Sequence, residues 1–134
     1  MKFIEWTENE ILQVPKIDEQ HLGIVKLVND IYPQLGKLDQ VKEISYTDEL
    51  VLELRTHFDT EEDMMKCSKY PGYISHKLEH DRFYHKVQKI HEKAKSGDPS
   101  ITLELLNTLK TWLFNHLEIN DRKCADFFLE NGCE

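Results

Sequence analysis

Apolar residues recur at helical intervals along most of this chain, in four successive stretches separated by the few residues that break helices. In the first stretch Leu22, Val25, Val28, Ile31, Leu35 and Leu38 form one stripe, with Asp18 as its cap and with Pro33 and Gly36 able to kink or end it. The second is predicted to start at Thr47, carries Leu50, Leu54, His57, Phe58, Glu61 and Met65, and stops at Tyr70-Pro71-Gly72. The third runs from near Ile74 to Ser96-Gly97, with His76, His80, Phe83, Val87 and Ile90 on one side. Asp98-Pro99 is read as the start of a fourth, whose inner face holds Leu105, Leu109, Trp112, Leu113 and His116. A short tail helix carries Cys124, Phe127 and Phe128. Residues 1–17 place Phe3, Ile4, Trp6, Ile11, Leu12 and Val14 without helical spacing, which predicts an extended arm. The expected architecture is all-α, an up-down-up-down antiparallel four-helix bundle with an extended N-terminal arm and a short C-terminal helix, since short links favour antiparallel neighbours.

Composition narrows this further. At 134 residues and 40% hydrophobic content, residues 1–134 are expected to form one domain with one modest core. Lysine and arginine number 17 against 25 acidic residues, a net charge of −8 without any basic run, so nucleic acid and anionic membranes are poor partners. No apolar run approaches a bilayer span and the acidic N-terminal residues do not resemble a secretory signal, so a cytoplasmic, soluble protein is expected. A monomer is expected, with an oligomer left open. Cys67, Cys124 and Cys133 form no C-x-x-C pair, which predicts reduced thiols rather than a zinc-thiolate site.

The chemistry lies in the polar residues on the apolar stripes. His57 and Glu61 are four residues apart, as are His76 and His80, so each pair projects from one helix face. His21 and His116 share the stripes of the first and fourth helices. A lone inward histidine is usually a core residue bonded to backbone, but several imidazoles and a carboxylate in one small core are costly unless a cation binds them. Asp121 follows His116 by five residues, which on a straight helix leaves it roughly 140° away. It faces the same centre only if the helix ends or bulges near Asn120.

His21, the His57-Phe58-x-x-Glu61-Glu62 run, the His76-x-x-x-His80 pair and the His116-x-x-x-x-Asp121 ending, in this order and spacing, resemble the hemerythrin family in its single-domain bacterial form. The resemblance implies a cofactor of two non-haem iron ions. His76, His80 and His116 would bind one, His21 and His57 the other, and Glu61 and Asp121 would bridge them together with an oxo or hydroxo group. It leaves one coordination position open on the iron with two histidines. Ile24, Phe58, Trp112 and Leu113 would line the O2 pocket. The implied function is reversible O2 binding, as a carrier or store that also accepts small anions, with no catalytic residues and no enzyme activity. The alternatives are O2 or redox sensing, iron handling on the same scaffold, or a di-iron oxidase.

Other arrangements fit less well. A ferritin-like oxidase uses Glu-x-x-His pairs, and none of the seven histidines follows a glutamate at that spacing. A zinc hydrolase would need H-E-x-x-H, whereas His91-Glu92 continues to Ala94 and Lys95. His85 and His91 are expected at the edge of the third helix. Gln20, Glu79 and Asp81 flank ligand histidines and are candidates to orient them.

Overall fold

The computed structural model describes residues 2–131, which form helices and connecting turns. In chain order the helices are α1 (Pro15–Ile31), α2 (Gln40–Ser68), α3 (Tyr73–Lys95), α4 (Leu103–Asn115) and α5 (Arg122–Asn131). A six-residue π-helical turn, His116–Asp121, joins α4 to α5. Shorter 3-10 turns lie at Glu8–Glu10 and Tyr32–Gln34.

The helix starts differ from those expected, and each difference has a local cause. α1 begins at Pro15, which occupies the first helical position where no backbone N–H is needed. Asp18 does not cap it; its carboxylate accepts a bond from the Leu12 N–H at 2.8 Å and fastens the arm. The arm is not wholly extended, because Thr7 and Glu10 cap a 3-10 turn within it. α1 ends at Ile31, before Pro33, and Leu22 is 48% exposed rather than on the buried stripe. α2 starts well before Thr47, at Gln40, with Asp39 accepting from the Lys42 N–H at 2.9 Å. Asp98 closes α3 instead of opening α4: its N–H bonds to Lys93 O while Gly97, at φ +87°, bonds to Ala94 O. Thr102 is the cap of α4.

The up-down-up-down order can be read from the core itself. Buried apolar residues form two clusters, one around Phe58, Leu106 and Val28 and one around Ile17, Met65 and Leu117. Between them lies a polar layer. Along α1 the chain passes from the second cluster (Ile17) through His21 to the first (Ile24, Val28); along α2 it passes from the first (Leu50, Leu54) through Glu61 to the second (Met65). α3 reverses again, from His76 toward Phe83 and Val87, and α4 runs from Leu105 and Leu109 to Leu113, after which the chain passes through His116 to Leu117 in the π turn and Cys124 in α5. Alternating direction is therefore what lets all four helices offer polar residues at one level. The arm contributes Ile4, fully buried, whose backbone N and O are both bonded to the Asn29 side chain. No helix among the described residues is long and apolar enough to cross a membrane.

Candidate metal centre

Each helix places its polar residues one turn apart on its inner face. His21 comes from α1, His57 and Glu61 from α2, and His76 and His80 from α3; all are buried. The third pair, His116 and Asp121, depends on the π turn. Its wider winding brings residues five apart onto one side, so His116 and Asp121 both face inward, with Nε2 and Oδ1 separated by 2.8 Å. The bulge falls where the sequence required one. Asn120, within it, donates to Glu79 on α3, and Arg122 just after it donates to Asn9 O in the arm at 2.9 Å. These bonds tie the bulge to its neighbours.

The donor atoms fall into two overlapping groups. Glu61, His76, His80, His116 and Asp121 offer atoms that all lie within 4.8 Å of one another, and so do His21, His57, Glu61 and Asp121. Only the two carboxylates belong to both. Glu61 Oε1 is 3.0 Å from His80 Nε2 and 3.3 Å from His76 Nε2, while Asp121 Oδ2 is 2.9 Å from His21 Nε2. His80 Nε2 and His116 Nε2 face each other at 3.2 Å. Several of these atoms are close without being aligned for hydrogen bonding. Glu61 Oε1 and Oε2, His57 Nε2, His76 Nε2 and Asp121 Oδ1 are buried and lack an aligned partner. Convergence on shared points explains both facts, because lone pairs aimed at a common centre are not aimed at each other.

Burial alone would keep these carboxyls neutral and these imidazoles uncharged. Their mutual contacts outweigh it. Burial and Asp121 push the Glu61 carboxyl up, but His57, His116 and His76 hold it far below the ordinary range. Asp121 is likewise held well below its usual value despite burial, chiefly by His116, His21 and His57. Burial lowers His76, yet Asp121, Cys124 and Glu61 carry it up to about 12; His116, also opposed by burial, rises to about 9 through Asp121 and Glu61. Charge of both signs is thus concentrated in an apolar interior, and cations bound between the donors would satisfy the orphaned atoms. A mixed imidazole and carboxylate set suits iron.

The apolar residues singled out in the sequence surround this layer. Phe58 stacks on the His80 ring at 4.0 Å between centroids, and Trp112 stacks on His116 at 4.5 Å. Ile24 and Leu113 are buried in the same cluster as Phe58. His85 is exposed, and His91 bonds to the Thr47 hydroxyl at 2.7 Å; neither joins the cluster. Of the candidate orienting residues, Gln20 accepts from His57 Nδ1 at 3.0 Å. Asp81 instead pairs with Lys77, and Glu79 with Asn120. Sequence reasoning missed Glu62, whose Oε2 accepts from His80 Nδ1 at 2.9 Å. It also missed the contact of the buried Cys124 thiol with His76. Glu62 stood in the motif beside Glu61 without a role, and helical phase alone carried no signal that it reaches α3. The expectation of three reduced thiols holds for Cys124, a buried free cysteine, but not for Cys67, which is disulfide-bonded; Cys133 lies outside the described residues.

Fold and site together define a helical-bundle metal-binding domain. Residues 13–126 match the model of the hemerythrin HHE cation binding domain, and the chain belongs to the hemerythrin family. Curated relatives carry the name bacteriohemerythrin. The protein of Stenotrophomonas maltophilia is 29% identical over 126 residues, spanning 94% of this chain and 82% of its own length. That of Aquifex aeolicus is 31% identical over 103 residues, 75% of this chain and 79% of its own. Among solved structures, wild-type hemerythrin superposes with a TM-score of 0.84 at 24% identity, covering 98% of this chain and 97% of that one, a likeness of fold. The family binds non-haem iron, and the buried histidine, glutamate and aspartate cluster is where this chain offers ligands for it.

Proposed function

We propose that the cluster holds two irons and that the protein binds O2 reversibly there. The observation that carries this reading is the pair of overlapping donor groups, three histidines in one and two in the other, with Glu61 and Asp121 common to both. Two irons would then be held side by side, one by His76, His80 and His116 and the other by His21 and His57, with Glu61 and Asp121 available to both. Bound iron would supply the electrons and an open coordination position for O2.

The chain's own residues do the rest. Glu61 and Asp121, buried and within reach of both donor groups, would offer carboxylate charge to offset that of the cations. Gln20 fixes the His57 ring so that Nε2 points inward. Phe58, Trp112, Leu113 and Ile24 pack as an apolar wall beside the layer and would keep water from it. Among the described residues the titratable side chains of the layer serve as candidate ligands or as their partners, which supports reading the protein as a carrier or store rather than an enzyme.

Anaerobic titration of the ferrous protein with O2, followed by visible absorption, tests this. A colour that develops with O2 and fades when O2 is removed is expected. Consumption of O2 with continuing oxidation of a reductant would replace the carrier reading with an oxidase.

A further inference from the structure

Two histidines of the layer, His57 and His80, have Nδ1 partners of different kinds. His57 is held by the neutral amide of Gln20, which in turn donates to the Thr60 hydroxyl at 2.9 Å. His80 is held by a carboxylate: Glu62 Oε2 lies 2.9 Å from Nδ1, and Glu62 is only 6% exposed. Behind Glu62 stands Arg55, 3.8 Å from the same oxygen, with its guanidinium bonded to Asp59 and lying over the Tyr84 ring. His57 belongs to the two-histidine group and His80 to the three-histidine group. The asymmetry in ligand number is therefore matched by an asymmetry in charge.

We propose that Glu62 is a positioning residue that makes the two metal positions electronically unequal, stabilising the higher oxidation state at the three-histidine position. It does so by accepting the Nδ1 proton of His80, which fixes the tautomer with Nε2 inward and makes that nitrogen a stronger donor. An amide at the same place fixes the tautomer without the charge. Arg55 moderates the effect by drawing on the same carboxylate oxygen. The inference rests on the di-iron reading above.

The test uses the full chain loaded with iron. Midpoint potentials and iron content are measured together for wild type, Glu62→Gln and Arg55→Gln. Glu62→Gln keeps the hydrogen bond and removes the charge; it is expected to hold iron while the ferric-to-ferrous preference falls about tenfold, raising a one-electron potential by about 59 mV. Arg55→Gln, altered outside the ligand layer, is expected to move the potential the opposite way. A merely structural role for Glu62 would change iron retention and leave the potentials of the loaded variants alone. Iron-loaded Glu62→Gln with a wild-type potential overturns this inference and leaves the di-iron site standing. Should Glu62→Gln not retain iron, Arg55→Gln decides: a lowered potential supports the inference, an unchanged or raised one overturns it. Wild-type protein that takes up no iron overturns both.

Discussion

Leu113 lies three residues before His116, on nearly the same helix face, and is 2% exposed in the cluster that holds Phe58 and Ile24. Truncation there removes buried volume beside a polar layer, so the resulting space would hydrate. Leu113→Ala is expected to cost about 2–5 kcal/mol of stability and to speed the irreversible decay of the O2-loaded protein. Leu50→Ala, equally buried but about 10 Å further along α2 from His57, should show only the loss of stability. Equal decay rates for Leu113→Ala and wild type would remove Leu113 from the pocket wall. His76 and His116 carry a second prediction at this scale. Both are raised, to about 12 and about 9, so in the metal-free fold both hold protons at neutral pH, and metal uptake must expel them. Raised values mean that their contribution to the metal-free fold is fully present below the ordinary value of 6.5 and is lost as pH rises through about 9 and then about 12. Metal affinity should therefore fall as pH falls below about 12, and more steeply below about 9 where both imidazoles hold protons, with protons released on binding. Calorimetry in buffers of different ionisation enthalpy measures this; a buffer-independent heat would contradict it.

The element that decides the site is the π turn, because it alone brings Asp121 onto the His116 face. Its bond from Asn120 to Glu79 is exposed, so removing it should cost about 0.5–1 kcal/mol and open the turn about two to five times more often. Hydrogen exchange at the amides of 116–121 in Asn120→Ala should quicken by that factor, while amides of α2 do not change. Unchanged exchange would mean the turn is held by the ligand layer alone. The need for this bulge was legible in the sequence, since five residues between His116 and Asp121 cannot share a face of a regular helix. What was not legible was the choice among competing caps. Asp18, Asp39, Asp98 and Thr102 all carry cap-forming side chains, and tertiary position selects among them: Asp18 is taken by Leu12, and Asp98 by the end of α3. The same limit hid Glu62. Spacing told that Glu61 faces inward, but only the approach of α3 shows that the next residue reaches His80.

At the scale of the molecule, the ligand layer divides the core into two apolar clusters. The bundle buries charge where a core would otherwise be continuous, so its stability depends on what binds there. Metal that binds the folded bundle and not the unfolded chain stabilises by mass action, and chelation should lower Tm markedly for wild type and little for His80→Ala. The five histidines and Glu61 were identifiable because each lies on the inner phase of its own segment, whereas Asp121, off that phase on a regular helix, entered through the family resemblance. The grouping of the histidines into three and two came from the same resemblance, and the fold brings the donor atoms together in two sets of that make-up. The most direct measurement of the whole account is the iron content of anaerobically reconstituted wild type beside His76→Ala and His85→Ala. About two irons per chain are expected for wild type and His85→Ala, with His76→Ala depleted, given a mixed nitrogen and oxygen ligand set. Stoichiometric zinc with no iron uptake in wild type, or a His85→Ala protein as depleted as His76→Ala, would contradict it.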